Sequence, residues 1–582
     1  MNDFLAQHSD KKLFLKFWTF IRPYKLSLFV SFVLVLMMVG AGLIQPMFIK
    51  TIVDDAIAGE KRGELWMLSS LFAGIVILEY GLRCLQTWVL AQAGENILRD
   101  LRRALYKHIL SRSTCFFHHQ PVGRLVVRLT TDVESLSEMF TSGFVSILAD
   151  CVTVIGIVGM LIYLSLSMTL TSFLVLPLLV VVALYFRKKM RWAFRNIKHY
   201  VGHLNAYLAE HLNGMEVVQS FNQEKNTFVE YENINRKVMG FHFKNISYDS
   251  ILFSVVEALG TLTIVLLIWF ATDNLIQGIV TAGTLIAFIE YLERFFIPIR
   301  DISEKYAVMQ SGFASLERIF GILENQEALI QPLIPIKLSA VKGQLEFRNV
   351  SFAYKLGEPI LDKIHFKVNV GEKVAIVGPT GAGKSTLMKL ATRLYDVDQG
   401  EVLLDGVDLR NYDLSQLRRY IGMISQDFFI FSGTVAENMS LADPSISMDS
   451  IREASRMVGI HSFIENLSHG YETKLAEKGA NISVGQRQLI SFARIFVFNP
   501  RVIILDEATS NVDTESELLI QKALAQVTKN RTSLIIAHRL STIKNADRIL
   551  VLHHGKILEE GPHDLLIQNQ GLYQKLYSLQ FQ

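Results

Sequence analysis

Residues 373–393 read KVAIVGPTGAGKSTLMKLATR, and this stretch decides the fold of the C-terminal half. The run KVAIV is short, apolar and bounded by glycine, as a buried strand is. Gly378-Pro379-Thr380-Gly381-Ala382-Gly383-Lys384-Ser385 then fits the phosphate-binding pattern G-x4-G-K-[ST] at every position. A helical stretch, STLMKLATRL, opens directly after it. Strand, loop and helix are the context the chemistry needs. Glycines let backbone N–H groups wrap phosphate oxygens, and the helix N-terminus faces their negative charge. Lys384 is expected to reach the β- and γ-phosphates of a nucleotide, and Ser385 to ligate Mg²⁺. Residues Gly378 to Thr386 are the expected loop contacts.

Working outward, a second apolar strand, Val502-Ile503-Ile504-Leu505, ends in the carboxylates Asp506 and Glu507. Asp506 is placed to hold Mg²⁺ through its water shell. Glu507 is placed to act on an attacking water as general base or orienter. Further β-rich runs (LEFRNVSFAY, HFKVNV, EVLLDG, TSLIIAH) alternate with helices and glycine turns from Gly343 onward. That alternation argues an α/β domain with a largely parallel sheet. Ile482-Ser483-Val484-Gly485-Gln486 precedes the helical stretch RQLISFARIF, so Ser483, Gly485 and Gln486 lie at a second helix start suited to an anion.

The N-terminal half has another texture. The chain has 582 residues, half of them hydrophobic and only 19% charged, with a mean hydropathy of +0.29. A net charge of +3 gives no argument for nucleic acid. Residues 11–25 mix aromatics with five basic residues and read as an interfacial helix on the cytoplasmic face. Residues 26–49 contain no charge and are long enough to span a bilayer core. Further apolar runs cover about 65–90, 144–165, 168–186, 250–272 and 275–299, giving six spans. The third and fourth are separated only by Leu166-Ser167, which demands a tight hairpin. The polar stretches 91–140 and 187–248 carry seven and ten Lys/Arg, which puts them and the N-terminus in the cytoplasm. These stretches read as long helical extensions of the spans. The first apolar run starts too late and is too long for a cleavable signal, so insertion relies on the first span. Cys84, Cys115 and Cys151 have unrelated spacings and read as packing residues. His118-His119 and His553-His554 lack metal-ligand spacing.

The motifs together resemble the ATP-binding cassette of the ABC transporter superfamily, whose signature is usually Leu-Ser-Gly-Gly-Gln just upstream of the Asp-Glu strand. The resemblance implies further roles. Tyr354 matches the residue that stacks on adenine. Gln426 matches the loop glutamine that senses Mg²⁺ and faces the membrane domain. Ser510 to Asp513 match the loop that crosses the dimer interface, with Asn511-Val512 where the family usually has Ala-Leu. His538 matches the histidine that contacts the γ-phosphate. The membrane half resembles the exporter (type IV) arrangement. There, coupling regions near 114–124 and 224–233 touch the ATPase domains. The implied architecture is an all-α membrane domain of six transmembrane helices with long cytoplasmic extensions (1–322), a linker (323–342) and an α/β P-loop ATPase domain (343–582).

What the resemblance implies for function is ATP-driven export or flipping of a hydrophobic or amphipathic drug or lipid, as half of a dimeric transporter in a bacterial inner membrane. ATP and Mg are the implied cofactors. An ATP-gated channel or regulatory ATPase on the same fold is the alternative. Val484 departs from the pattern, because glycine is usual at the third signature position. A branched Cβ there crowds a close approach and disfavours positive φ. Two readings stay open: a homodimer that tolerates Val484, and a heterodimer in which Val484 caps a weakly hydrolysing partner site. In the membrane half, Glu79/Arg83 and Glu290/Arg294 are each four apart and suit pairs along one helix face. Asp150 and Glu257 have no helical partner and are candidates for a polar cavity wall or an inter-helix contact. Pro46, Pro177 and Pro298 are expected to bend their helices.

Overall fold

A computed structural model describes residues 10–581 except 277–279, 326, 330, 333, 337–340, 356, 427, 507–513 and 538–539. The chain divides into two units. One holds residues up to Leu110 and from Pro121 to Asn325; the other holds Ser111–Gln120 and everything from Gln326 onward.

The first unit is helical. Helix α1 (Asp10–Ile21) buries Leu13, Phe17 and Ile21. Their spacing of four residues puts them on one face. The same helix is tied to the end of α9 (Ala282–Leu323) by the Lys16–Glu324 ion pair and the Phe20–Phe320 ring contact. The expected interfacial helix therefore packs its apolar face against protein. Helices α2 (Lys25–Thr51), α3 (Arg62–Leu110), α5 (Val122–Leu164), α6 (Leu166–Asn213) and α8 (Glu224–Ile276) are long and apolar enough to cross a membrane. No more than 28% of any of their apolar windows is buried, so lipid or another chain must cover the rest.

Among the described residues, five long helices thus meet the apolarity expected of six. Helix α9 carries Glu290, Glu293 and Arg294 in the stretch read as the sixth span. It runs antiparallel beside α2 in that stretch. Asp54 accepts from the Gly283 N–H at 2.8 Å, the Tyr291 hydroxyl donates to the Leu43 carbonyl, and Arg294 donates to the Gly42 carbonyl at 2.7 Å.

The hairpin between α5 and α6 is tighter than its sequence reading. Ser165 alone is extended, and its hydroxyl caps the next helix by accepting from the Met168 N–H. Helix α6 is interrupted by a turn at Leu174–Val175, and Pro177 stands in the first turn of the part that follows, Leu176–Asn213. Pro46 and Pro298 lie inside continuous helices. Between α6 and α8 sits a six-residue helix, α7 (Met215–Ser220), with no buried side chain. Residues 224–233, expected as a coupling region, form the first turns of α8.

Most of the charged residues singled out in the spans are paired. Arg83 donates to Glu79 at 2.9 Å, and Arg294 to Glu290 at 2.8 Å. Gln45 joins the two pairs, donating to Glu79 at 2.5 Å and accepting from Arg294 at 2.9 Å. Asp150 pairs with Lys305, a partner on another helix. Below them Asp132, buried, accepts from Arg128 at 2.5 Å, from Arg318 at 2.6 Å and from Ser315 at 3.2 Å. Glu257 is exposed and has no ion-pair partner among the described residues.

The second unit is α/β. A four-stranded antiparallel sheet has the order β2-β1-β4-β5, from β1 (Leu345–Ala353), β2 (Pro359–Val368), β4 (Gln399–Leu404) and β5 (Val407–Asp408). A two-stranded ribbon joins β7 (Gly433–Thr434) to β8 (Lys474–Leu475). The main sheet has the order β12-β11-β3-β10-β9-β6. Its strands β3 (Lys373–Val377), β6 (Ile421–Ile424), β9 (Val502–Asp506), β10 (Thr532–Ile536) and β11 (Arg548–His553) are parallel, and β12 (Lys556–Gly561) closes one edge antiparallel.

The central strands are buried along nearly their whole length, because both faces are covered. Alternate residues serve opposite faces. Val502 and Ile504 of β9 join the core built with β1 and β2, while Ile503 and Leu505 join the core around the helix Val484–Phe498.

The second unit also takes in α4 (Thr114–His119), a helix from the chain between α3 and α5. Phe116 is buried, and Cys115 packs against the core built on β1, β2 and β4. The expected coupling region 114–124 is split accordingly: 114–120 belong to the second unit, and 122–124 begin α5 in the first.

Candidate functional site

The parallel strands bring four chain segments to one edge of the main sheet. Ile376 pairs with Ile536, Ile536 with Asp506, and Leu505 with Ile424. Their C-terminal ends are therefore level, and the chain leaves them into the loop at Gly378, into Ala537, past Asp506 and into Ser425–Gln426. Ligands of open parallel sheets bind at such carboxyl ends.

The loop needs glycine for steric reasons. A Cβ on Gly378 would stand 2.2 Å from the Leu552 carbonyl oxygen. Gly383 has φ +105° and room for no Cβ, since one would lie 2.7 Å from Leu361. Gly383 is the N-cap of the loop helix (Lys384–Ala391), and no side chain caps that helix. Its N-terminus is open to an anion, and the macrodipole favours one.

Lys384 Nζ donates to the Gly378 carbonyl at 2.7 Å and the Pro379 carbonyl at 2.9 Å. Burial pushes its pKa below the usual lysine value, and Asp506 partly offsets this. Ser385 Oγ donates to Asp506 Oδ2 at 3.5 Å, so the hydroxyl and the carboxylate that fit a hard cation face each other. Gln426 is exposed two residues beyond β6.

Tyr354 follows β1. Its hydroxyl lies 3.3 Å from Thr386 Oγ1, and Lys389 Nζ lies 5.4 Å from its ring centroid. Its edge meets Phe352 and Tyr395, with centroids 5.0 and 5.3 Å away. Tyr395 in turn faces His118 of α4, at 6.3 Å. Burial raises the Tyr395 hydroxyl to about 12. Nothing in the local sequence marks Tyr395 or Lys389, because their neighbours to Tyr354 are made by the sheet and not by spacing.

The second helix start is built otherwise. Ser483 caps the helix Val484–Phe498 in a capping box. Its hydroxyl accepts from the Gln486 N–H at 3.2 Å, and Gln486 Oε1 accepts from the Ser483 N–H at 2.9 Å. Gly485 is buried. Val484 is 40% exposed and takes helical backbone, so position 484 does not need positive φ. That part of the argument for glycine there is corrected; the added bulk of Val remains. Glu507, His538 and Ser510–Asp513 lie outside the described residues.

The sequence matches of the chain agree with this architecture. The ABC transporter transmembrane region matches residues 28–299, and the ABC transporter ATPase family matches residues 361–510. The chain is 34% identical over its full length to an ATP-dependent lipid A-core flippase of Haemophilus influenzae, covering 98% of that protein. It is 34% identical to the putative multidrug export ATP-binding/permease protein YgaD of Bacillus subtilis, covering 97% of this chain and 99% of that one. The uncharacterized ABC transporter ATP-binding protein YknV of Bacillus subtilis is likewise 34% identical, over 97% of this chain and 94% of its own.

An α/β nucleotide-binding unit fused to a bundle of long apolar helices defines an ATP-driven membrane transporter. The chain belongs to the ABC transporter family and is an exporter-type half-transporter. It is a multi-pass membrane protein that binds ATP, couples its hydrolysis to transport, and works as part of a dimer.

Proposed function

We propose that this half-transporter moves an amphipathic molecule, a lipid or a lipophilic drug, out of the cytoplasmic side of a bacterial inner membrane. The observation that supports this most is a cavity of about 780 Å³ in the membrane unit. Arg83, Asp150 and Lys305 line it beside Val35, Leu90 and Val308. A charged head and an apolar body both find partners there. The names of the lipid A-core flippase and multidrug export relatives agree with this substrate class. Glu257, exposed on α8 next to Phe253, Ser254 and Leu262, is a second candidate contact. On this reading α9 is the sixth span, and its charges are tolerated because Glu290 and Arg294 neutralise each other. The ATPase domain lies in the cytoplasm, and α7 serves as the second coupling element in place of 224–233.

Lys384 and the loop N–H groups hold the β- and γ-phosphates, and Tyr354 stacks on adenine. Ser385, Asp506 and Gln426 fit Mg²⁺, which supplies charge neutralisation on the phosphates when bound. Glu507 takes or orients the proton of the attacking water, and His538 meets the γ-phosphate. Ser483, Gly485 and Gln486 cap the nucleotide of the other half-transporter. The partner is a different half-transporter, a reading carried by the bulk of Val484 and by Asn511-Val512. The unstrained backbone at Val484 favours the rival reading, a homodimer, and the mass of the purified complex separates the two.

The direct test is transport in proteoliposomes. Glu507→Gln is expected to keep ATP binding and lower turnover by about 10²-fold or more. Substrate-stimulated ATPase with vectorial movement of a labelled lipid or lipophilic dye supports a pump. Wild-type turnover in Glu507→Gln removes the role given to that residue. Passive, ATP-gated flux of ions shows a channel instead.

A further inference from the structure

The search for chemistry outside the nucleotide site leads to α4, the helix that the second unit borrows from the chain between α3 and α5. Cys115 and His119 lie four residues apart on it and so share one face. Cys115 Sγ is 3.7 Å from His119 Nδ1. His119 Nδ1 is 3.8 Å from Glu327 Oε2, and the three ligand atoms all lie within 4.8 Å of one another. Glu327 comes from the segment that follows α9, more than two hundred positions away in the chain, yet it belongs to the same unit.

The arrangement is held by contacts that do not involve the three ligand atoms. The Ser113 N–H donates to the Glu327 carbonyl at 3.1 Å, and the Ser113 hydroxyl donates to the same oxygen at 3.0 Å. Phe116, 1% exposed, anchors α4 in its unit. Cys115 packs against the core built on β1, β2 and β4. A cation arriving there meets ligands already in place and loses little to ordering them.

We propose that Cys115, His119 and Glu327 form a binding site for a zinc-class divalent cation. One thiolate, one imidazole and one carboxylate make the three-protein-ligand set of an open tetrahedral zinc site, with water in the fourth position. Ligand atoms bound to zinc at about 2.0–2.3 Å in tetrahedral geometry stand roughly 3.3–3.6 Å apart. The Cys115–His119 and His119–Glu327 separations of 3.7 and 3.8 Å need to contract by only a few tenths of an ångström, and Cys115 Sγ lies within 4.8 Å of the Glu327 carboxylate. Magnesium prefers six oxygens and is a poor match for sulfur and nitrogen. Binding releases the thiol proton to solvent, and no redox step is involved. The bound cation clips the start of the linker to α4, so the two chain segments that enter the ATPase domain from the membrane domain are fastened together at one point.

The test uses the full-length transporter in detergent, stripped with chelator and titrated with Co²⁺ alone and then Zn²⁺ alone. One Co²⁺ per chain is expected, with a thiolate-to-metal charge-transfer band and tetrahedral visible absorption. One equivalent of Zn²⁺ abolishes both signals, while excess Mg²⁺ leaves them. Cys115→Ser is expected to remove the charge-transfer band and weaken zinc binding by at least about tenfold, since even the loss of a supporting group around a metal costs about 10- to 100-fold. His119→Ala, at a more exposed position, gives the same loss of affinity and serves if Cys115→Ser fails to fold. Cys84→Ser and Cys151→Ser keep the band. A transporter that shows no thiolate band, a band that survives Cys115→Ser, or displacement by Mg²⁺ overturns the site.

Discussion

Two helices of the ATPase domain begin in opposite ways. Every helix start leaves backbone N–H groups without a helical partner. The loop helix, Lys384–Ala391, follows a glycine in the left-handed region and has no side-chain cap. The helix Val484–Phe498 follows a serine whose hydroxyl, with Gln486, closes a reciprocal box. The first start is therefore poor in local stability and rich in unspent donors. The second is already satisfied by its own side chains. The difference teaches what each start is for. One takes an anion as its missing cap. The other is a finished element that presents a hydroxyl, and any anion it meets must compete with the box.

Several substitutions break or sharpen this contrast. The largest effect is expected at Lys384. Lys384→Met should erase the stabilisation that nucleotide gives, about 2.7 kcal/mol at one hundred times the parent Kd, read as a lost Tm shift on adding ATP. Without nucleotide the same variant should be as stable as the parent at pH 7, or more so. Burial lowers this ammonium's pKa, so its penalty is full below the folded-state value and fades as pH rises toward the ordinary lysine value. Denaturation at two pH values reads the sign; a large loss of apo stability at pH 7 contradicts the buried-charge argument.

Gly383→Ala comes next. Its φ of +105° and the 2.7 Å approach to Leu361 predict a cost of about 1–3 kcal/mol and ATP binding weaker by roughly tenfold to 10²-fold. Equal affinity in equilibrium binding would mean that the loop relaxes freely. Ser483→Ala should cost about 1 kcal/mol of apo stability through the lost cap while leaving this chain's own ATP affinity unchanged. A drop in that affinity would place Ser483 at the same chain's nucleotide. The smallest effect belongs to Val484→Gly: a loss of at most about 0.5 kcal/mol, because the position is ordinary helix. If turnover of the complex rises by more than roughly tenfold with it, Val484 is the restraint that the heterodimer reading requires.

The ATPase half was legible because its chemistry is written locally. The loop, its glycines and its helix lie within a dozen residues, and strand alternation around β9 reports both covered faces. The carboxylates Asp506 and Glu507 were legible as a motif at a strand end, and Asp506 does end β9. The membrane half was legible where apolarity alone decides. Helix α9 is the instructive case: its Glu290 and Arg294 lower its apolarity, their four-residue spacing foretells the pair, and only the structure shows Gln45 joining it to Glu79. Asp150 has no partner four residues away because its partner is Lys305. Glu327 beside His119 is invisible for the same reason. Spacing rules see one helix face, and these contacts are made by tertiary folding between distant segments. The six-residue helix α7 went unread in the sequence, because a short polar segment between two long helices carries no periodicity of its own.

The ten residues Ser111–Gln120 are made early in synthesis and seated late, since the rest of their unit begins only after Gln326. At about 5–20 residues per second the interval is on the order of tens of seconds. For that time Phe116 and Cys115 have no core to enter. The ATPase domain cannot close its surface until the ribosome has supplied nearly the whole chain, and a gene split between the membrane and ATPase halves would leave the second product with a vacant seat. Quality control of this transporter during its birth therefore has a natural checkpoint: an apolar segment that stays uncovered unless the last domain arrives and folds.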